Sequence, residues 1–157
     1  MSVEQDFRLA MRNVAAPVSV VTTLVGGEPL GTTVSAFDSL SMVPPMMTVA
    51  LQDTSFLLSR LTVGAPLGIN VLTADQEELA IRFAKRAEDR FVGVDWTLVD
   101  GAPRLPEVHS WIALRVNELV RGGDHVVVVG DVVGAARGLG RPLTYHDRVF
   151  GSHRPSS

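Results

Sequence analysis

The chain has no cysteine, so disulfides, thiolate metal sites and a cysteine nucleophile are excluded. It has one lysine, Lys85, against thirteen arginines, and its net charge is −3. That balance offers no basic face for the phosphates of a nucleic acid, and none is expected as a partner. No apolar run approaches the ~20 residues that a bilayer-crossing helix needs, so no membrane is expected either. The opening "MSVEQDFRLAM" is polar and acidic, unlike a secretory leader, which favours a cytoplasmic protein. Several catalytic signatures are also missing. There is no GxxxxGK[ST] loop, no HExxH and no nucleophile elbow, and "GLGRPL" at 138–143 lacks the third glycine of a dinucleotide fingerprint. The four histidines (His109, His125, His146 and His153) have no tight ligand spacing, so no metal site is assigned.

What is present is a globular composition, 46% apolar and 20% charged over 157 residues, which suits one domain spanning 1–157. Ser2 and Gln5 form a capping box for a helix over 2–14, with Phe7, Ala10, Met11 and Val14 on one face to be buried. Strand patterns follow at 18–24, 30–37, 46–52, 67–72, 109–120 and 125–137, with a closing strand or extended tail at 142–150. Short helices are expected at 56–63, capped by Thr54 or Ser55, and from the Thr73–Gln76 capping box to about Lys85. Consecutive hairpins outnumber helices. The pattern predicts a mainly β chain with peripheral helices, an antiparallel barrel.

Three polar stretches stand out against the apolar strands. "GTTVSAFDSLSMVPP" (31–45) crowds Thr32, Thr33, Ser35, Ser39 and Ser41 into a strand and the turn expected after it. Such hydroxyls either satisfy local backbone or line a site for a phosphate or polyhydroxy chain. "LQDTSFL" (51–57) places Gln52, Asp53, Thr54 and Ser55 where a strand meets a helix, as caps or as ligand groups. "RFAKRAEDRF" (82–91) offers Arg82, Arg86 and Arg90, a solvated face or a set of phosphate forks. His125 heads a four-valine run after Asp124, as a turn residue or as a functional one.

Taken in order, these segments resemble the short-chain flavin reductase family, whose members have the FMN-binding split barrel. Residues 31–45 are similar to its G-x-T-x-S-x-F-x-S-x-S-x-x-P-P segment, and "INVLTADQEELAIRFA" (69–84) to its N-V-L-x-x-x-Q-x-x-L-A-x-x-F-A helix. "GDHVVVVGDV" (123–132) and "PLTYHDRVF" (142–150) are similar to its G-D-H hairpin and its closing strand. The likeness covers roughly residues 5–150. It implies a Greek-key split barrel in which Thr32, Thr33, Val34, Ser35 and Ala36 line the isoalloxazine and ribityl chain. Ser39 and Ser41 would shape the turn nearby, and Gln52, Asp53, Thr54 and Ser55 would hold ribityl or phosphate oxygens. Phe83, with one or more of Arg82, Arg86 and Arg90, would approach the phosphate or nicotinamide side. His125 would position the nicotinamide, and Tyr145 and Arg148 would close that pocket.

The resemblance further implies an NAD(P)H-dependent reductase of FMN or FAD that uses NADH, with NADPH possible. It would be a homodimer and would pass reduced flavin to a monooxygenase component. The rival expectations are a flavin-binding barrel without nicotinamide turnover and a haem-binding or structural relative. The tail "GSHRPSS" after Phe150 is short, so any cover that a longer tail gives the dinucleotide would be weaker here.

Overall fold

The computed structural model describes all residues, 1–157. Helix α1 (Val3–Arg12) is followed by strands β1 (Ala16–Pro17), β2 (Ser19–Val25), β3 (Glu28–Val34), β4 (Phe37–Met42) and β5 (Pro45–Gln52). The one-turn helix α2 (Phe56–Ser59) leads to β6 (Pro66–Val71), then a 3₁₀ turn and α3 (Glu77–Ala84). The hairpin β7 (Thr97–Val99) and β8 (Ala102–Arg104), the long pair β9 (Ser110–Gly122) and β10 (His125–Arg137), and β11 (Leu143–His146) and β12 (Val149–Ser152) complete the chain.

Seven strands form one antiparallel sheet in the order β3-β2-β6-β9-β10-β5-β4. The two edge strands, β3 and β4, are consecutive in sequence, separated by Ser35 and Ala36 alone. From Val34 to Phe37 the chain can span at most about 11 Å, three Cα–Cα steps. The sheet must therefore curl until its opposite edges meet at that corner. The Ala50 N–H donates to the Ala36 carbonyl at 2.8 Å and fastens the corner to β5. The result is a split barrel, joined at one corner.

Strand alternation fills both faces. Val21, Val49, Ile69, Leu114, Val116 and Val128 point into the barrel, closed at the end by Leu57 and Leu61 of the α2 segment. On the outer face Val20, Leu72, Trp111 and Ala113 pack against Ala80 and Phe83 of α3, Ala102, and Leu143 of β11. Gly68 gives Trp111 its place, since a Cβ there would lie 2.5 Å from the indole.

A polar knot crosses this second core. Asn70, fully buried, accepts from the Leu105 N–H at 2.8 Å and donates to the carbonyls of Val20 and Pro103. The Thr22 hydroxyl donates to the same Pro103 carbonyl at 2.6 Å. Between them they satisfy the backbone of the segment leaving β8, which would otherwise be buried with orphan groups.

Both capping boxes form, and Ser55 rather than Thr54 caps α2, accepting from the Leu58 N–H at 3.3 Å. Four expectations are corrected. Residues 37–42 are a strand and not a turn, because the sharp reversal comes later, at Val43–Pro44. The helix expected over 56–63 stops at Ser59, since Arg60 N–H bonds back to Leu57 and the chain turns toward Gly64 at φ +89°. Residues 142–150 are not one strand: Asp147 and Arg148, both at positive φ, turn β11 into β12. Helix α1 forms but buries none of its residues; Phe7 is 65% exposed. It is tied down at its end, where Arg12 meets the Asp147 carboxylate at 2.7 Å.

Removing the Asn70 side chain strips a partner from three backbone groups, of which the Pro103 carbonyl keeps the Thr22 hydroxyl. Asn70→Ala is expected to lower unfolding free energy by about 2–4 kcal/mol. Urea denaturation measures it, and a loss below about 1 kcal/mol would contradict the role given to the knot.

Candidate active site

A cleft of about 1050 Å³ opens where the sheet edges meet. Its walls are β3 from Pro29 to Val34, the Ser35–Ala36 link, the end of β5 from Ala50 to Gln52, and the Thr54–Leu57 turn. The segment from Ala84 to Phe91 and His125 at the start of β10 complete it. β3, the corner link, the end of β5 and the start of β10 are thus held around one space.

The geometry at His125 follows from register. His125 pairs with Gln52 on β5 and with Gly122 on β9. Gly123, at φ +60°, makes the turn, and the Asp53 N–H donates to the Asp124 carbonyl at 2.9 Å, so the pairing continues one step beyond the strand. The His125 Nδ1 lies 2.7 Å from Asp124 Oδ1. The hydrogen bond from His125, and then its charge, hold the Asp124 carboxyl below the usual carboxylate range.

The opposite rim is a strap, residues 85–92, laid across β3. Arg82 holds it from inside: its Nε donates to the Arg90 carbonyl at 2.6 Å, and its Nη2 donates to the carbonyls of Asp89 and Val92. Arg90 Nη1 donates to the Gly31 carbonyl at 2.8 Å. Phe91 meets Phe83 edge-on with ring centres 4.9 Å apart. Both rings approach Gly31 so closely that a Cβ there would lie 2.9 Å from Phe83. The Thr33 hydroxyl donates to the Ala80 carbonyl at 2.6 Å and pins α3 to the same strand.

Arg90 carries an unmet demand. Its Nε is buried with no partner, and burial lowers its pKa from the usual arginine value. A guanidinium with a desolvated, unpaired N–H is costly unless an anion or acceptor meets it. Thr32 and Ser35 present hydroxyls to the same cleft with no partner inside the chain, next to the apolar surface of Leu30, Val34 and Ala36. The arrangement suits a ligand that is part flat and apolar, part polyhydroxy and anionic.

Of the residues singled out by sequence, Thr32, Thr33, Val34, Ser35, Ala36, Gln52, Thr54, Ser55, Arg86, Arg90 and His125 line this cleft. The others do not. Asp53 faces Arg121, carboxylate to guanidinium 3.7 Å. Ser39 and Ser41 sit on β4, paired with Met47 and Met46. Phe83 is fully buried in the outer core, and the phenylalanines that line the cleft are Phe91 and Phe56. Arg82 is spent on strap carbonyls, which answers which arginines remain for a ligand. Tyr145 and Arg148 belong to the β11–β12 hairpin, where Tyr145 packs on Phe150, outside the cleft of their own chain. Sequence reading passed over Gly31 and Phe91. The signal for both was a glycine facing an Arg–Phe pair across two segments, and its meaning depends on their meeting in space.

The fold and cleft define a class: a split β-barrel with a cleft at the junction of its sheet edges. The chain belongs to the flavin reductase like domain family, whose model matches residues 11–154. It is 34% identical over 158 residues to an NADH:FMN oxidoreductase of Rhodococcus erythropolis, covering 96% of this chain and 81% of that protein. It is 35% identical over 150 residues to the reductase component of a 4-nitrophenol 4-monooxygenase/4-nitrocatechol 2-monooxygenase of Rhodococcus opacus, covering 96% of this chain and 81% of that one. Among solved structures it is similar to an NADH:FAD oxidoreductase of Streptomyces globisporus in complex with NAD and FAD fragments. That match has a TM-score of 0.91 and 28% identity, and covers 99% of this chain and 95% of the other.

Proposed function

We propose that the chain is an NAD(P)H:flavin oxidoreductase that reduces FMN or FAD and hands the reduced flavin to a separate monooxygenase. The observation that carries it is the cleft itself. Open hydroxyls, an apolar wall, a guanidinium whose buried Nε has no partner, and a histidine converge on one space large enough for a flavin. NADH is the favoured donor, as in the names of the relatives above. The reading places the protein in the cytoplasm, where reduced nicotinamide is supplied.

The residues fit a flavin by chemistry. Thr32, Ser35, Gln52 and Thr54 would hold ring and ribityl oxygens through neutral hydrogen bonds, and Val34 and Ala36 would support the ring. Arg90, with Arg86, would meet the phosphate. A bound flavin supplies the ring that accepts hydride from the nicotinamide C4. The chain's own task is placement: Phe91 and the strap wall off one side of the cleft, and His125 orients the nicotinamide from the other. Reduction takes up one hydride and one proton per flavin. Polar groups of the cleft would stabilise the negative charge that reduction gives a bound flavin.

A homodimer is part of this reading. Phe7 and Met11 on α1, and Met42 and Val43 at the end of β4, are large apolar side chains left in the open. A second copy covers such surface with its own equivalent. Sedimentation at micromolar concentration is expected to give twice the chain mass; a monomer with full flavin affinity would count against it.

Neutral hydrogen bonds contribute about 0.5–1.5 kcal/mol each, which suits micromolar and exchangeable binding. The dialysed protein, given NADH and a many-fold excess of FMN or FAD under nitrogen, is therefore expected to bleach all of the flavin. Bleaching that stops at one flavin per site would replace the carrier with a protein that keeps its flavin. No NADH consumption at all would leave a flavin-binding barrel without turnover.

A further inference from the structure

His125 has two ring nitrogens and the structure commits one of them. Nδ1 lies 2.7 Å from Asp124 Oδ1. The neighbouring carboxylate is already engaged: Asp53 faces Arg121 at 3.7 Å. The cross-strand neighbours of His125 are Gln52 and Gly122, neither charged. Asp124 is therefore the one carboxylate that meets the ring. Its own backbone is pinned by the Asp53 N–H at 2.9 Å and by the turn at Gly123. The hairpin thus fixes the backbone on both sides of the contact, while the Asp124 carboxylate itself is 92% exposed.

We infer that Asp124 is a positioning residue that fixes the tautomer of His125, so that Nδ1 carries the proton and Nε2 meets the cleft as a hydrogen-bond acceptor. A carboxylate can only accept, so it selects the ring form that donates from Nδ1. Free neutral imidazole favours the other form, with the proton on Nε2. The selection has a consequence for what the cleft takes. An Nε2 lone pair calls for an N–H or O–H donor, and repels a carbonyl or phosphate oxygen. On the nicotinamide ring of a reduced dinucleotide that donor is the carboxamide NH₂. This last step rests on the function proposed above; the tautomer does not.

The test separates the two. Histidine nitrogens are labelled with ¹⁵N in the full-length protein without ligand, and His125 is assigned among the four histidines by comparison with His125→Gln. Above the pH at which the ring titrates, the native protein is expected to show the Nδ1–H form. Asp124→Ala is expected to move His125 to Nε2–H. Asp124→Asn, whose amide oxygen still accepts, is expected to restore Nδ1–H. In turnover with NADH and FMN, Asp124→Ala is expected to raise KM for NADH roughly tenfold, the loss of about one hydrogen bond. Flavin binding should change less than about twofold, and Asp124→Asn should recover most of the KM.

An Nε2–H form in the native protein overturns the inference, as does an Asp124→Ala spectrum like that of the native chain. A tautomer change that leaves KM for NADH unaltered overturns the donor assigned to Nε2. The expected tautomer series, in a protein that oxidises no NADH in any variant, supports the role of Asp124 and removes the nicotinamide reading of the cleft.

Discussion

The structure depends on a length constraint: two residues, Ser35 and Ala36, connect the opposite edges of a seven-stranded sheet. A span of at most about 11 Å forces the edges together and makes the sheet a barrel at that corner. The same link leaves the ladder to cross from one edge to the other, so it cannot fill the gap that it bridges. The cleft is the space left beside it. The barrel core and the site are two results of one connection, and the bond from Ala50 to Ala36 at 2.8 Å belongs to both.

Around that corner, polar groups divide by what they satisfy. The Asn70 knot and the Thr33–Ala80 bond are closed: every buried donor and acceptor in them has a partner within the chain, and they hold the 103–105 segment and α3 on the sheet. Thr32, Ser35 and Arg90 are open, facing the cleft or buried without a mate. Rigid, satisfied surroundings carry an unsatisfied centre. Arg90 is kept in place by its neighbour Arg82, which never reaches the cleft but holds the strap on which Arg90 sits. Two arginines eight residues apart therefore do different work: Arg82 binds the carbonyls of the strap, and Arg90 ties the strap to Gly31 at the rim of the cleft.

Much of this was legible in the sequence. Periodicity gave five strands, β2, β5, β6, β9 and β10, within two residues, and the capping boxes at Ser2 and Thr73 marked helix starts because their bonds are local. The family likeness supplied the split barrel and drew together Thr32 to Ala36, Gln52, Ser55 and His125. What was missed depends on contacts distant in sequence. The β7–β8 hairpin went unread although Asp100–Gly101, at φ +49° and +86°, is a recognisable tight turn; its strands have three residues each, too few for alternation to register. Phe83 and Arg82 look like ligand residues in a one-dimensional motif, but helix geometry turns Phe83 into the outer core and Arg82 back toward its own strap. Nothing in the sequence of β3 tells that Thr33 spends its hydroxyl on Ala80 while Thr32 keeps its own.

The central claim is that a flavin occupies the corner where the sheet edges meet. Its most direct test is a crystal structure of the protein soaked with FMN. The account expects ring density against residues 32–36, with Gln52 and Thr54 on the ribityl chain and the phosphate on Arg90. Flavin density elsewhere, or a fully formed corner that stays empty at saturating FMN, would contradict it.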